Sequence, residues 1–324
     1  MMKKHLLFVI MALFAMIAAA CGSSSTASED SAAEPAESKE KPAEVTVKHE
    51  LGETTVPVNP EKVVVFDFGT LDTMAELGIE PVALPKENIP DYLSQFEDEK
   101  YENAGSLKEP DFEKINELAP DLIIISGRQM DLYDQFAEIA PTIYLGVDTA
   151  NYMESFKKNA TTVGQVFDKE AEVEEKLAAI DEKIAALNEK ASSMEKNGLV
   201  ILANEGKISA YGPASRFGII HDVFGVKAVD ENLEVSTHGQ SISFEYLVEK
   251  DPDYLFVVDR GAVVAQGEGE SSVKQVVEND LVKGTKAVKN DNVIYLDPNV
   301  WYLSGGGLQS VLAQAEEIEK GIAE

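Results

Sequence analysis

The chain has 324 residues, 44% of them hydrophobic, and a formal charge of −30. That is enough apolar material for two cores of ordinary domain size. The acidic balance excludes nucleic acid as a partner, because a phosphate backbone demands a basic surface.

Residues 1–20 read as a secretory signal. Lys3, Lys4 and His5 form a polar start, and Leu6 to Ala20 an apolar run too short to span a membrane. The only cysteine, Cys21, follows three alanines and precedes Gly22 and serines, like a bacterial lipoprotein cleavage site. Ala18 stands where that pattern usually has leucine. Lipidation of Cys21 explains a lone exported thiol, and no cysteine remains for a disulfide or a thiolate metal site. Residues 21–44, rich in Ser, Ala, Glu, Lys and Pro, cannot build a core and read as a flexible tether. Its relaxed span is on the order of 25–30 Å. A diacyl anchor and a tether place the protein on the outer face of a membrane.

Val45 to His49 alternates as a strand, with Glu53 to Pro57 as its hairpin partner. Lys62 to Asp67 is a continuous apolar run, as in a strand covered on both faces. Phe68 to Leu71 reads as a loop leading to a helix that ends at Gly78. Strands follow at 81–84, 122–126 and 142–145, and a helix at 152–166. Next comes a long helix over about 168–194. Its apolar residues Val173, Leu177, Ile180, Ile184, Leu187, Ala191 and Met194 recur at gaps of four and three. Such a seam fits a short coiled coil or a strut between two halves. Beyond it lie strands at 199–203 and 207–211, a loop at 212–216, a helix at 217–224, and strands at 254–259 and 293–296. Gly305 to Gly307 reads as a flexible turn before a closing helix from Leu308 to about Ile322. Strands alternating with helices predict an α/β fold with mostly parallel sheets.

The strut reading gains weight from an internal repeat. Residues 111–128 and 243–260 align at a constant offset of 132, pairing Phe112 with Phe244, Glu113 with Glu245, Pro120-Asp121 with Pro252-Asp253 and Arg128 with Arg260. Each copy reads as a short helix, a Pro-Asp stop, a buried strand and an arginine. Two similar halves and one connector imply two lobes with a cleft between them.

Only three arginines occur, Arg128, Arg216 and Arg260, against 25 lysines. Arginine offers a rigid fork of donors and a flat face for stacking, which lysine lacks. All three lie just past predicted strands, where ligands collect in α/β folds. Three flat cations converging on a cleft call for an anionic, oxygen-rich, aromatic ligand, since burying them unpaired would cost several kcal/mol each. His238, in a polar loop, and Tyr302 are credible iron(III) ligands. His49 and His221 fall on predicted element surfaces and are set aside. Enzyme readings lack support. The sequence has no G-x-S-x-G turn, no H-E-x-x-H and no cysteine pair, and its Gly305-Gly-Gly307 lacks a phosphate-loop Lys-Ser/Thr.

Together these features resemble the substrate-binding lipoproteins of iron–siderophore ABC importers. The resemblance covers the chain after residue 44. More narrowly, Val63 to Gly69, Gly105 to Asp111, Ser236 to Gln240 and Trp301 to Gly307 are similar to the petrobactin-binding lipoproteins of Gram-positive bacteria. The Pro-Asp repeats mark only the wider class, which also holds binders of cobalamin, haem and hydroxamates. The resemblance implies two Rossmann-like lobes, 45–165 and 197–324, joined by a backbone helix at 166–196, in the class III, helical-backbone type that changes little on binding. It implies a ferric catecholate siderophore held by Arg128, Arg216 and Arg260, with His238 and Tyr302 completing the iron shell only of bis-catecholate complexes. It implies that Glu113 and Glu245 dock on a permease. The expected protein is a lipid-anchored monomer on the extracellular face of the cell membrane, with no cofactor apart from its ferric ligand and no catalysis. Another iron chelate, haem or cobalamin as ligand, or an exported enzyme or adhesin on the same scaffold, remain the alternatives.

Overall fold

The structure, a computed structural model, describes residues 43–204, 206–264, 276 and 279–323. The signal, Cys21 and all but the last two residues of the tether lie outside the described residues. Among the described residues no helix is long and apolar enough to cross a membrane.

A hairpin opens the fold, β1 (Glu44–His49) against β2 (Gly52–Pro57). The first sheet contains β3 (Val63–Val65), β4 (Ala83–Leu84), β5 (Glu102–Asn103), β6 (Leu122–Ile125) and β7 (Thr142–Tyr144), in the order β5-β4-β3-β6-β7. All its pairings are parallel. The second sheet contains β8 (Asn197–Asn204), β9 (Lys207–Tyr211), β10 (Lys227–Ala228), β11 (Gln240–Ile242), β12 (Tyr254–Asp259) and β13 (Val293–Leu296). Its order is β11-β9-β8-β12-β13, with β10 also on β8. Among the described residues, β9 is antiparallel to β8 and β11, and the other pairings are parallel.

The central strands read as unbroken apolar runs because both faces are buried. Val63, Val65, Leu122 and Ile124 enter a core shared with Val200, Leu202, Phe256 and Val258 of the second sheet. Val64, Ile123 and Ile125 face a core of the first sheet alone, and Leu199, Ile201, Leu255 and Val257 one of the second. Each sheet thus turns one face to a common interior.

Six helices set the site. They are α1 (Phe68–Glu76), α2 (Phe112–Leu118), α3 (Tyr152–Phe167), α4 (Glu170–Ser193), α5 (Phe244–Lys250) and α6 (Leu308–Gly321). The predicted loop at 68–71 is helical instead. Asp67 accepts the N–H of Thr70 at 2.7 Å and starts α1 at once. The long helix begins two residues later than expected, because Asp168 adopts a left-handed φ of 57° and ends α3. Val173, Ile180, Ile184, Leu187 and Ala191 are buried along α4, with Leu177 and Met194 packed at its margin. Its 24 residues span roughly 36 Å. The seam packs on α3 and α6 within one chain, so it is a strut. The expected helix at 217–224 shrinks to Ile219–Asp222.

The repeat is real in three dimensions. α2 and α5 occupy matching residues, and each ends in a left-handed residue, Ala119 or Asp251. The Pro-Asp pairs then hook the neighbouring strand. Asp121 Oδ2 accepts N–H groups of Glu61 and Lys62 just before β3, at 3.0 and 2.8 Å. Asp253 Oδ2 accepts the N–H of Asn197 at the start of β8, at 3.0 Å.

Candidate functional site

Each arginine leaves the C-terminal end of a strand. Arg128 sits in a 3-10 segment, Gly127–Leu132, after β6. Arg216 lies in the turn after β9, and Arg260 directly follows β12. In the first sheet, β3 and β6 flank the point where strand order reverses, the place where α/β folds leave a crevice.

The three guanidiniums meet on one residue. Arg128 Nη2 donates to the backbone carbonyl of Tyr302 at 3.1 Å, and Arg216 Nη2 donates to the same oxygen at 2.6 Å. Arg260 Nε donates to the Tyr302 phenol oxygen at 2.8 Å, while its Nη1 donates to Asn204 Oδ1 at 2.9 Å. Arg216 Cζ stacks 4.3 Å from the centre of the Tyr302 ring and 5.5 Å from that of Phe217. Arg260 Cζ stands 5.8 Å from the Tyr302 ring. Tyr302 can reach all three because it sits in a π-helical turn, Asn299–Leu303, which the sequence reading did not foresee. Such turns recur at functional sites.

The electrostatics follow from that crowding. Burial, then the neighbouring Arg128, pull the Arg216 guanidinium below its ordinary pKa. Burial pushes the Tyr302 phenol up, but the Arg260 hydrogen bond and the charges of Arg216, Arg260 and Arg128 outweigh it and leave the phenol more acidic than usual. An acidified phenol among flat cations is suited to oxyanions, aromatic rings and hard metal ions. This cationic focus stands in a chain of net charge −30.

The remaining predicted residues are placed apart from this cluster. His238 is exposed on a loop and makes no hydrogen bond among the described residues. That loop packs on the second sheet at Gly239, where an added Cβ would lie 2.7 Å from the Tyr211 ring. Glu113 and Glu245 are exposed in the first turns of α2 and α5. His221, placed on a helix surface by its spacing, instead turns Nδ1 to the Val226 carbonyl at 2.8 Å, and burial lowers its pKa. Gly305 to Gly307 is not a loose turn. A Cβ on Gly69 would fall 2.2 Å from the Gly305 carbonyl oxygen, and one on Gly307 2.4 Å from Asp72 Cγ. The close crossing of α1 requires glycine there. Sequence reasoning also missed Asn204 and Phe217, which fix Arg260 and Arg216. The only signal for either was its place beside a strand end.

The sequence profile of the family described as periplasmic binding protein matches residues 63–300. The chain is 55% identical over 325 residues to the petrobactin-binding protein YclQ of Bacillus subtilis (strain 168), covering 99% of each. The crystal structure of YclQ superposes with a TM-score of 0.84 at 58% identity, covering 87% of this chain and 99% of that one. The crystal structure of the periplasmic catecholate-siderophore binding protein VctP of Vibrio cholerae follows with a TM-score of 0.81 at 38% identity, covering 86% and 99%.

Proposed function

The chain belongs to the periplasmic binding protein family, and on that premise we propose that it captures a ferric catecholate siderophore of the petrobactin kind and delivers it to an ABC importer. The observation that carries this reading is the meeting of Arg128, Arg216 and Arg260 on Tyr302. A ferric catecholate is anionic, its charge is spread over ring oxygens, and its metal is already chelated. The protein must recognise the outside of the chelate, and forked donors with flat faces do so. The role is capture and release, with no catalysis and no cofactor beyond the ferric ligand. The names of YclQ and VctP support the ligand class.

On this reading the lobes are 45–165 and 197–324, and the ligand lies between them against the arginines. A six-coordinate complex needs no protein ligand on iron. A bis-catecholate leaves two positions open, which Tyr302 and His238 fill once the His238 loop turns inward. The acidified phenol favours that step. Glu113 and Glu245 meet the permease at two equivalent points, as their shared place in the repeat suggests. Cys21 carries the lipid, holding the protein as a monomer on the outer face of the membrane.

Quenching of intrinsic fluorescence by ferric petrobactin, a ferric bis-catecholate, ferric citrate and a ferric hydroxamate tests the reading. Tightest binding of the catecholates is expected. Tighter binding of the hydroxamate would overturn it.

A further inference from the structure

One buried carboxylate ties the first half of the chain to the closing helix of the second. Asp72 lies in α1 and is 0% exposed. Its Oδ1 accepts the N–H of Gln309 at 2.8 Å, and its Oδ2 that of Ser310 at 2.7 Å. Beside it, Thr73 Oγ1 accepts the N–H of Leu308 at 3.3 Å. The first N–H groups of any helix lack partners within it. The residue preceding α6 is Gly307, which has no side chain to supply a cap. The cap therefore comes from α1, more than two hundred residues earlier in the chain.

A second chain of contacts runs to the π turn. The Tyr92 hydroxyl lies 3.0 Å from Asp72 Oδ2 and 2.8 Å from Ser304 Oγ. Ser304 Oγ in turn lies 3.0 Å from the Asn299 carbonyl oxygen. The N–H of Asp91 donates to Asn299 Oδ1 at 3.2 Å. Tyr302 sits between these anchor points. At its far end α6 reaches the second sheet, where a Cβ on Gly321 would lie 2.9 Å from Ile294. The segment 299–310 therefore belongs by sequence to the second half, is bonded within it by Arg216 and Arg260, and is tied to the first half as well.

We propose that Asp72 is a positioning residue for the cleft: its cap on α6 sets how far Tyr302 stands from Arg128. The route is short. β3 leads into α1 and pairs directly with β6, which leads to Arg128. Asp72 and Arg128 thus ride on one sheet, and the cap fixes the Tyr302 carbonyl relative to both. The site needs a carboxylate. Gln309, Ser310 and Tyr92 bring three donors, and a carboxylate is an acceptor throughout. An amide would turn its NH2 toward one of them. The positive end of α6 favours the charge as well. Burial pushes the Asp72 pKa up, to about 6, while its hydrogen bonds to Ser310, Gln309 and Tyr92 pull it back.

The test is a double-mutant cycle on the full-length protein, rested on the cleft reading above. Asp72→Asn and Arg128→Ala are made singly and together and titrated with ferric petrobactin. Asp72→Asn alone is expected to weaken binding tenfold or more. In the Arg128→Ala background it should add less than threefold, because the distance it controls no longer matters. Fully additive losses, or wild-type affinity in Asp72→Asn, would overturn the proposal. Should Asp72→Asn fail to fold, Tyr92→Phe in the same cycle decides by the same rule, since it removes the contacts with Asp72 and Ser304 and leaves both backbone N–H bonds of the cap in place. Trp301, the only tryptophan, adjoins Tyr302 and gives a readout without ligand. Its emission should shift in Asp72→Asn and Tyr92→Phe. An unchanged spectrum in both would sink the proposal even if the protein bound no ferric catecholate, which would count against the cleft reading alone.

Discussion

The two copies of the helix–strand–arginine unit share a backbone and differ in what holds their arginines. Arg260 is half-buried, clamped between Asn204 and the Tyr302 phenol. Arg128 is exposed and, among the described residues, its side chain makes one hydrogen bond, to a carbonyl. A duplicated scaffold thus fixes where each arginine starts, and the neighbours decide how much freedom it keeps. If the cleft binds as proposed, Arg260 is pre-organised and would meet a ligand at little entropic cost, whereas Arg128 would have to be ordered on binding, which would offset part of its gain.

That difference predicts unequal losses from equal substitutions. Arg260→Ala should cost on the order of 100-fold in affinity for ferric petrobactin, and Arg128→Ala about tenfold, from charge-assisted bonds of ~1.5–3 kcal/mol. Arg216→Ala should resemble Arg260→Ala, because Arg216 also lies stacked and half-buried. Lysine at 260 should recover only part of the loss, since charge returns without the fork. Equal losses at 128 and 260, read by fluorescence titration, would erase the distinction.

The outer faces of the two units should behave alike. Glu113 and Glu245 are both exposed in first turns, with no difference in setting comparable to that of the arginines. Glu113→Ala and Glu245→Ala should each lower cellular uptake of labelled iron by about tenfold and leave binding in solution unchanged, if each removes a charged docking contact of ~1.5 kcal/mol. A drop in solution affinity matching the drop in uptake would place them in the cleft instead.

The Pro-Asp hooks should affect stability and leave ligand affinity nearly unchanged. Asp121 satisfies two backbone N–H groups at the first sheet, whereas Asp253 satisfies one at the second, and its own backbone N–H donates to Asn197 Oδ1. Alanine at either position should cost about 1–2 kcal/mol in urea unfolding, with Asp121 the larger. The reverse order would show that the hooks are not equivalent devices.

The repeat itself explains why so much was readable from the sequence. Apolar runs, Pro-Asp stops and the period of α4 are local signals, and each is set by burial within its own element. The arginines stood out because lysine does the remaining surface work. What stayed hidden depends on contacts between distant segments. Asp67 closes an apolar run and by pattern belongs to a strand, so its cap on α1 is invisible in the sequence and residues 68–71 read as loop. Gly305 to Gly307 looked flexible because the tight crossing of α1 leaves no trace in its own sequence. The role of the Tyr302 carbonyl is a backbone property and has no residue code at all. Asp72 was one acid among 58 in the chain, and only its burial sets it apart.

The central claim is that three arginines gathered on Tyr302 hold an anionic ferric catecholate. Its most direct test is the variant Arg128→Ala, Arg216→Ala, Arg260→Ala, checked for wild-type circular dichroism and titrated with ferric petrobactin at concentrations that saturate the wild-type protein. No measurable binding is expected. Wild-type affinity in the folded triple variant would contradict that claim.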